Sequence, residues 1–224
     1  MRFIYHEKSG AKTLKLEKEQ YNHIFKVRRE DVKKPLFFRN LQDKNLYMYK
    51  VSQIDKKEAL CELIKIEKTL TKKPKEFQIA WSVTEPKTVE KTLPFLNELN
   101  LKKLIFVYTK FSQRNFKLDF ERLKRIVINS CEQCGRIDLM EFEIFNSLEE
   151  FLKIYDDIAV VDFSPDKFSS LCGILPKIWL VGCEGGFEKE ERKRLEKFIQ
   201  VGFDSENILR SSSAVAAIAS KLLL

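Results

Sequence analysis

The amino-acid sequence predicts an α/β protein in two parts. A small β-rich barrel or sandwich is expected over residues 1–70, and a mostly parallel α/β domain over residues 71–224. Three observations predict this. A chain of 224 residues has room for one large domain or two small ones. Residues 1–70 hold 17 Lys/Arg against 10 Asp/Glu, so +7 of the formal net charge of +8 sits in the first third. The hydrophobic pattern also changes, from short, closely spaced apolar runs before residue 70 to alternating strand and helix patterns after residue 77.

In the first part, Arg2–Tyr5, Pro35–Phe38, Leu46–Val51 and Ala59–Ile66 read as strands. Polar turns at Lys8–Gly10, Asn40–Asn45 and Asp55–Lys57 separate them, as in a small barrel. A short helix is expected from near Glu17, with Tyr21, Ile24 and Phe25 on one face. Thr69–Glu76 is polar, basic and interrupted by Pro74, and reads as a linker.

The second part offers six strands: Phe77–Val83, Leu104–Thr109, Met140–Phe145, Ile158–Phe163, Ile178–Gly182 and Asn207–Leu209. Between them, Asp119–Cys134 repeats its apolar positions with helical period; Asp119 is its expected N-cap and Gly135 its stop. Glu188–Gln200 is expected to be helical, with Leu195, Phe198 and Ile199 as its apolar stripe. Its outer face offers the i,i+4 pairs Glu188–Arg192 and Glu190–Arg194. A final Ala-rich helix stays apolar to Leu224, so it is expected to be buried in a core or a dimer.

Composition narrows the function. Hydrophobic residues make up 44% and charged residues 33%, enough to bury a core, while 7 Gly and 6 Pro exclude collagen-like and low-complexity chains. No apolar run reaches the roughly 18 residues of a membrane span, and the first ten residues lack a signal-peptide core, so a cytosolic protein is expected. The five cysteines then read as reduced thiols. The positive charge calls for a polyanionic partner.

Several motifs carry chemistry. His23-Ile-Phe-Lys26-Val-Arg28-Arg29 sets three cations around an apolar stripe, which is either a phosphate-contacting edge or a solvated basic face. Cys131-Glu-Gln-Cys134 is a CxxC at a helix end. Zinc needs two further ligands, and a redox pair needs a helix start, so two small packed positions explain it better. Arg136, just past the helix-stopping Gly135, presents a rigid donor fork suited to a phosphate or a base edge, or else to the helix C-terminus.

The strongest signal is Ile178-Trp-Leu-Val-Gly182-Cys-Glu184-Gly-Gly186-Phe, an apolar strand entering a Gly-rich turn. Such strand-to-helix turns bind ligands in α/β sheets. This one is neither a dinucleotide fingerprint nor a P-loop. A second junction, Asn207-Ile-Leu209-Arg210-Ser-Ser-Ser213, offers three hydroxyls at a helix start, as caps or as ligand donors. Hydrolytic triads, HExxH and paired carboxylates are not evident.

Together these residues resemble the bacterial 16S rRNA uridine-N3 methyltransferases, the RsmE family of the SPOUT superfamily, over essentially the whole chain. The family's Gly-Pro-Glu-Gly-Gly-Phe is matched by Gly182-Cys183-Glu184-Gly185-Gly186-Phe187. Its Leu-Arg-Thr-Glu-Thr-Ala is matched by Leu209-Arg210-Ser211-Ser212-Ser213-Ala214, and its Glu-Gln-x-x-Arg by Glu132-Gln133-Cys134-Gly135-Arg136. Glu98-Leu99-Asn100 stands for Glu-Leu-Gly, Gln113-Arg114-Asn115 for Glu-Arg-Ser, and His23 with Val27-Arg28 for His…Val-Leu-Arg.

The resemblance implies a PUA-like RNA-binding β-barrel over 1–70 and a SPOUT methyltransferase domain with a deep trefoil knot over 71–224. It implies S-adenosylmethionine as cofactor, the 16S rRNA of the small ribosomal subunit as partner, and a homodimer, with no metal and no membrane. The cofactor is expected against Val181, Gly182, Cys183, Glu184, Gly185, Gly186, Ile208, Leu209, Arg210, Ser211 and Ser213, with the loop Asp162–Pro165 beside it. Arg136 and Arg114 are the expected catalytic cations, and Lys26, Arg28 and Arg29 the expected RNA contacts. Glu184 is expected either to bind cofactor hydroxyls or to brace its turn.

Two departures stand out: Cys183 replaces Pro, which should loosen the turn slightly, and Ser212 replaces the Glu of Thr-Glu-Thr. They leave open a non-catalytic RNA-binding assembly factor on the same fold. A methyltransferase acting on another RNA, such as tRNA, is also open, with a metal-binding CxxC protein more distant.

Overall fold

A computed structural model describes residues 2–69, 76–171, 173 and 175–224. Most of the expected linker Thr69–Glu76, and Cys172, lie outside the described residues. The chain divides into two units. One comprises Met1–Lys73 together with Ile128–Leu139, the other Pro74–Val127 together with Met140–Leu224.

The first unit is built on one five-stranded sheet, β1 (Ile4–Tyr5), β2 (Thr13–Leu16), β3 (Leu36–Arg39), β4 (Asn45–Ile54) and β5 (Ala59–Lys68). Its order is β1-β3-β4-β5-β2, antiparallel except for the parallel β1/β3 pair. Strand β2 is an addition to the strands read from the sequence. Its four residues Thr-Leu-Lys-Leu alternate outside and inside, a pattern too short to stand out beside the charged residues around it. Helix α1 (Lys18–Tyr21) passes into a π-helical turn, Asn22–Val27. Tyr21 and Ile24 are buried as expected, and join Leu14, Leu16, Phe38 and Tyr49 in the core of this unit.

The second unit is a six-stranded sheet, parallel throughout: β6 (Gln78–Ser82), β7 (Lys103–Val107), β8 (Glu141–Phe145), β9 (Ile158–Val161), β10 (Ile178–Val181) and β11 (Ile199–Val201), in the order β11-β9-β10-β6-β7-β8. Every residue of β9 and β10 is buried, as strands covered on both faces require. The helices are α2 (Pro86–Glu98), α3 (Phe120–Cys134), α4 (Leu148–Ile154), α5 (Lys189–Leu195) and α6 (Ser211–Leu223). The division between the units falls within α3. Asp119 caps α3 by accepting from the Arg122 amide at 3.0 Å, and Gly135 ends it at φ +88°.

Two expectations along the last third are corrected. Asn207–Leu209 is not a strand. The strand is Ile199–Val201, which the helical reading of Glu188–Gln200 had absorbed. Helix α5 stops at Leu195 because the Gln200 side-chain amide donates to the open carbonyls of Leu195 (2.7 Å) and Phe198 (3.2 Å). The released Ile-Gln-Val then pairs with Ala159–Val161.

The expected i,i+4 pairs on α5 are also absent, because their members work elsewhere. Glu188 caps the helix in a reciprocal capping box with Glu191. Arg192 pairs with Asp162 and Arg194 with Glu149. Helix α6 buries Ala214, Val215, Ile218, Ala219 and Leu222, while Leu224 is exposed.

Candidate active site

At the carboxyl ends of β9, β10 and β11 the second unit holds a pocket of about 480 Å³. Three segments line it: the loop after β9 (161–167), the turn after β10 (181–187), and the stretch from the end of β11 into α6 (202–214). Ligands of parallel sheets sit in this place because helices cover the faces and leave the strand ends open. The floor is apolar and buried, from Val161, Val181, Phe187 and Ala214.

The Gly-rich turn is tight. The Gly186 amide donates to the Cys183 carbonyl at 2.9 Å, and Gly186 takes φ +69°, a conformation that favours glycine. Cys183 is buried, and burial pushes its thiol up, against the lowering effect of hydrogen bonds from Gly185 and Thr109. Its sulfur lies 3.8 Å from the Gly186 carbonyl oxygen, so the residue in place of proline still closes the turn.

Glu184 is the junction of the site. Its Oε2 accepts from the Thr84 hydroxyl at 2.6 Å and its Oε1 from the Ser211 hydroxyl at 2.9 Å. The Ser211 oxygen in turn accepts from the buried Trp81 indole at 3.3 Å. One carboxylate thereby joins the ends of β6 and β10 to the start of α6. The Ser211 hydroxyl does not cap α6, whose N-cap is Arg210 without a side-chain bond. Of the two roles open to Glu184, the geometry displays the brace. Thr84 is not among the residues the sequence points to, and Trp81 is read there only as part of the strand Phe77–Val83. A hydroxyl just past the end of a central strand was the available signal for Thr84.

The structure brings together most of the expected cofactor residues. Val181, Gly182, Cys183, Glu184, Gly186, Ile208, Leu209 and Ser211 line the pocket; Gly185, Arg210 and Ser213 belong to the same turns without lining it. The loop Asp162–Pro165 lines it too, held by the Asp162–Arg192 ion pair. Arg114, on the exposed loop after β7, donates from Nη1 to the Asn146 carbonyl at 2.8 Å and lies 5.1 Å from the Tyr108 ring centroid.

The remaining expected residues belong to the first unit. Arg136 is buried, and its Nε donates to Asp138 Oδ1 at 2.8 Å. Glu132 accepts from the Tyr5 amide (2.7 Å) and from Arg28 Nη2 (2.8 Å), so Arg28 is half-buried in an ion pair. Lys26 and Arg29 are exposed, Lys26 lying 5.9 Å from the Tyr21 ring centroid. Cys131 of the CxxC is buried and donates to the Asp138 carbonyl at 3.6 Å. Among the described residues no cluster of three or more His, Cys, Asp or Glu is arranged to hold a metal ion.

An open pocket at the carboxyl ends of a parallel sheet, framed by a Gly-rich and a Ser-rich turn, is a small-molecule site on an α/β scaffold. The family of RNA methyltransferase domains matches residues 71–223, which sets the class. Over 223 residues the chain is 39% identical to the ribosomal RNA small subunit methyltransferase E of Helicobacter pylori strain J99, covering 98% of each protein. The protein of that name from Aquifex aeolicus is 30% identical, with 100% of this chain and 99% of that one covered. The chain belongs to the ribosomal RNA small subunit methyltransferase E family. The fold agrees with that of the Neisseria gonorrhoeae enzyme of the same name bound to S-adenosyl methionine, at a TM-score of 0.81 and 18% identity over 99% of this chain and 96% of that one.

Proposed function

We propose that the protein transfers the methyl group of S-adenosylmethionine to N3 of a uridine in the 16S rRNA of the small ribosomal subunit. The observation that carries this reading is the pocket formed by the turns at 181–187 and 202–214, on a chain of this family. Its chemistry suits the cofactor. The buried apolar floor suits an adenine, and the Glu184 carboxylate in the lining supplies negative charge for a cationic ligand, while Asp162 is already paired with Arg192.

When bound, the cofactor supplies an electrophilic methyl on a sulfonium. The turns at 181–187 and 202–214 would hold it, and it would give that methyl to N3 of the uracil, whose proton would pass to solvent. The protein's part is to position the base and to stabilise charge developing on the uracil oxygens. Arg114 and Arg136 are the groups proposed for that charge or for the adjacent phosphates. Arg114 is exposed with its Nη1 already anchored, and Arg136 is held rigidly by Asp138.

Residues 1–70 are proposed as a PUA-like RNA-binding barrel, supported by their charge of +7, with Lys26, Arg28 and Arg29 toward the phosphates. Residues 71–224 are proposed as a SPOUT domain with a trefoil knot, acting in the cytoplasm as a homodimer. Leu224, which follows α6 and is exposed, supports the dimer. Among the described residues no helix is long and apolar enough to cross a membrane.

The test is calorimetric titration with S-adenosylmethionine, followed by incubation with unmodified small subunits and mass-spectrometric mapping of the product. Saturable binding and 3-methyluridine in 16S rRNA are expected. Binding without methylation would favour a non-catalytic RNA-binding factor, and a product in another RNA would move the substrate.

A further inference from the structure

We infer that Phe163 is the platform on which the methyl-accepting nucleobase of a single-stranded RNA segment stacks, with Ile208 on the second lining loop bounding it. This inference rests on the RNA-methylating reading above. Both residues line the pocket, yet Phe163 is 74% and Ile208 79% exposed, whereas the apolar residues of the floor are buried. A buried apolar side chain serves the core. Two large apolar side chains left open to water at one cavity serve whatever covers them.

The Phe163 ring is presented, not merely loose. The Asp162 amide donates to the Val201 carbonyl (3.0 Å), and Asp162 Oδ1 accepts from the Phe163 amide (2.8 Å). The Ser164 amide donates to the Asp162 carbonyl (2.9 Å). Asp162 is ion-paired to Arg192, and the Ser164 carbonyl accepts from Lys167 Nζ at 3.0 Å. The residues on either side bond into this network, which fixes the main chain of the turn from which the exposed Phe163 ring projects.

The acceptor base fits this position better than the cofactor does. The cavity has room for one cofactor-sized ligand over its buried floor. The methyl acceptor has to arrive from the open side, where the exposed Phe163 and Ile208 side chains are. A uracil methylated at N3 must free its Watson–Crick edge, so it is unpaired and its π-face is available. Aromatic side chains stack on such bases without needing hydrogen bonds.

Because the ring is exposed, Phe163→Ala is expected to fold with an unchanged melting temperature. Loss of the stack should weaken a short uridine-containing single-stranded oligoribonucleotide roughly 10- to 100-fold, read by anisotropy with S-adenosylhomocysteine present. KM for the rRNA substrate should rise in step, while the dissociation constant for S-adenosylmethionine stays at the wild-type value. Phe163→Trp should retain RNA affinity.

A parallel loss of cofactor affinity would overturn the inference by assigning the ring to the cofactor. Unchanged RNA binding in Phe163→Ala would overturn it too, as would wild-type RNA affinity in Phe163→Leu. A wild-type protein that leaves rRNA unmethylated, but whose oligonucleotide affinity still depends on the ring, would sink the proposed reaction and uphold the stack.

Discussion

Both oxygens of the Glu184 carboxylate accept from hydroxyls, one on Thr84 and one on Ser211. Thr84→Val keeps the volume and removes one donor. Hydrogen bonds to charged groups contribute about 1.5–3 kcal/mol, and the lower end applies because Glu184 is exposed. The expected result is a roughly 10-fold weaker S-adenosylmethionine affinity, restored in Thr84→Ser. Ser211→Ala combined with Thr84→Val should be non-additive, since both act through one carboxylate. Cys61 yields a prediction in pH. It is fully buried, and burial pushes its thiol from 9.0 up to about 11. The unfolded chain loses this proton first, so the stabilising contribution is complete below pH 9 and declines as pH rises toward 11. The stability difference between wild type and Cys61→Ala, from urea unfolding at pH 8 and 10.5, should shrink at the higher pH. At this scale Glu184 was legible from the Gly-rich turn around it. Thr84 was not, because 100 residues separate it from the carboxylate it holds.

Among the elements, the end of β11 governs the site most directly. A Cβ on Gly202 would lie 2.4 Å from the Ser164 carbonyl oxygen, a backbone atom that cannot turn aside. Gly202→Ala should therefore push the 162–165 loop out of place. A loss of cofactor affinity of tenfold or more is expected by calorimetry, together with a lower melting temperature. The sequence pattern hid this element. Leu195, Phe198 and Ile199 fit a helical stripe, and only the Gln200 side chain, folding back on the Leu195 carbonyl, ends the helix before Ile199. Conversely, Ile208 and Leu209 look like strand residues, but Ile208 is exposed at the pocket. Short apolar runs carry too little periodicity to separate these cases. The buried runs Ile158–Val161 and Ile178–Val181 were legible because strands covered on both faces need apolar residues at every position.

For the whole molecule, the parallel sheet was legible in the alternation of strands and helices, and the positive first third in plain residue counts. The allocation of α3 was not, because a helical period says nothing about which core its last turns join. The helical residues from Ile128 to Cys134, about two turns, group with the first unit, and within it Glu132 accepts from the Tyr5 amide and from Arg28. A fragment ending at residue 73 lacks this carboxylate, and its amides near Tyr5 should exchange with solvent faster than in the intact protein. The same feature sets a timetable during synthesis. At 5–20 residues per second, the stretch from residue 73 to residue 128 takes roughly 3 to 11 s to be made. For that interval the nascent first unit waits on the ribosome for its last segment, with the Tyr5 amide and the Arg28 guanidinium still facing water.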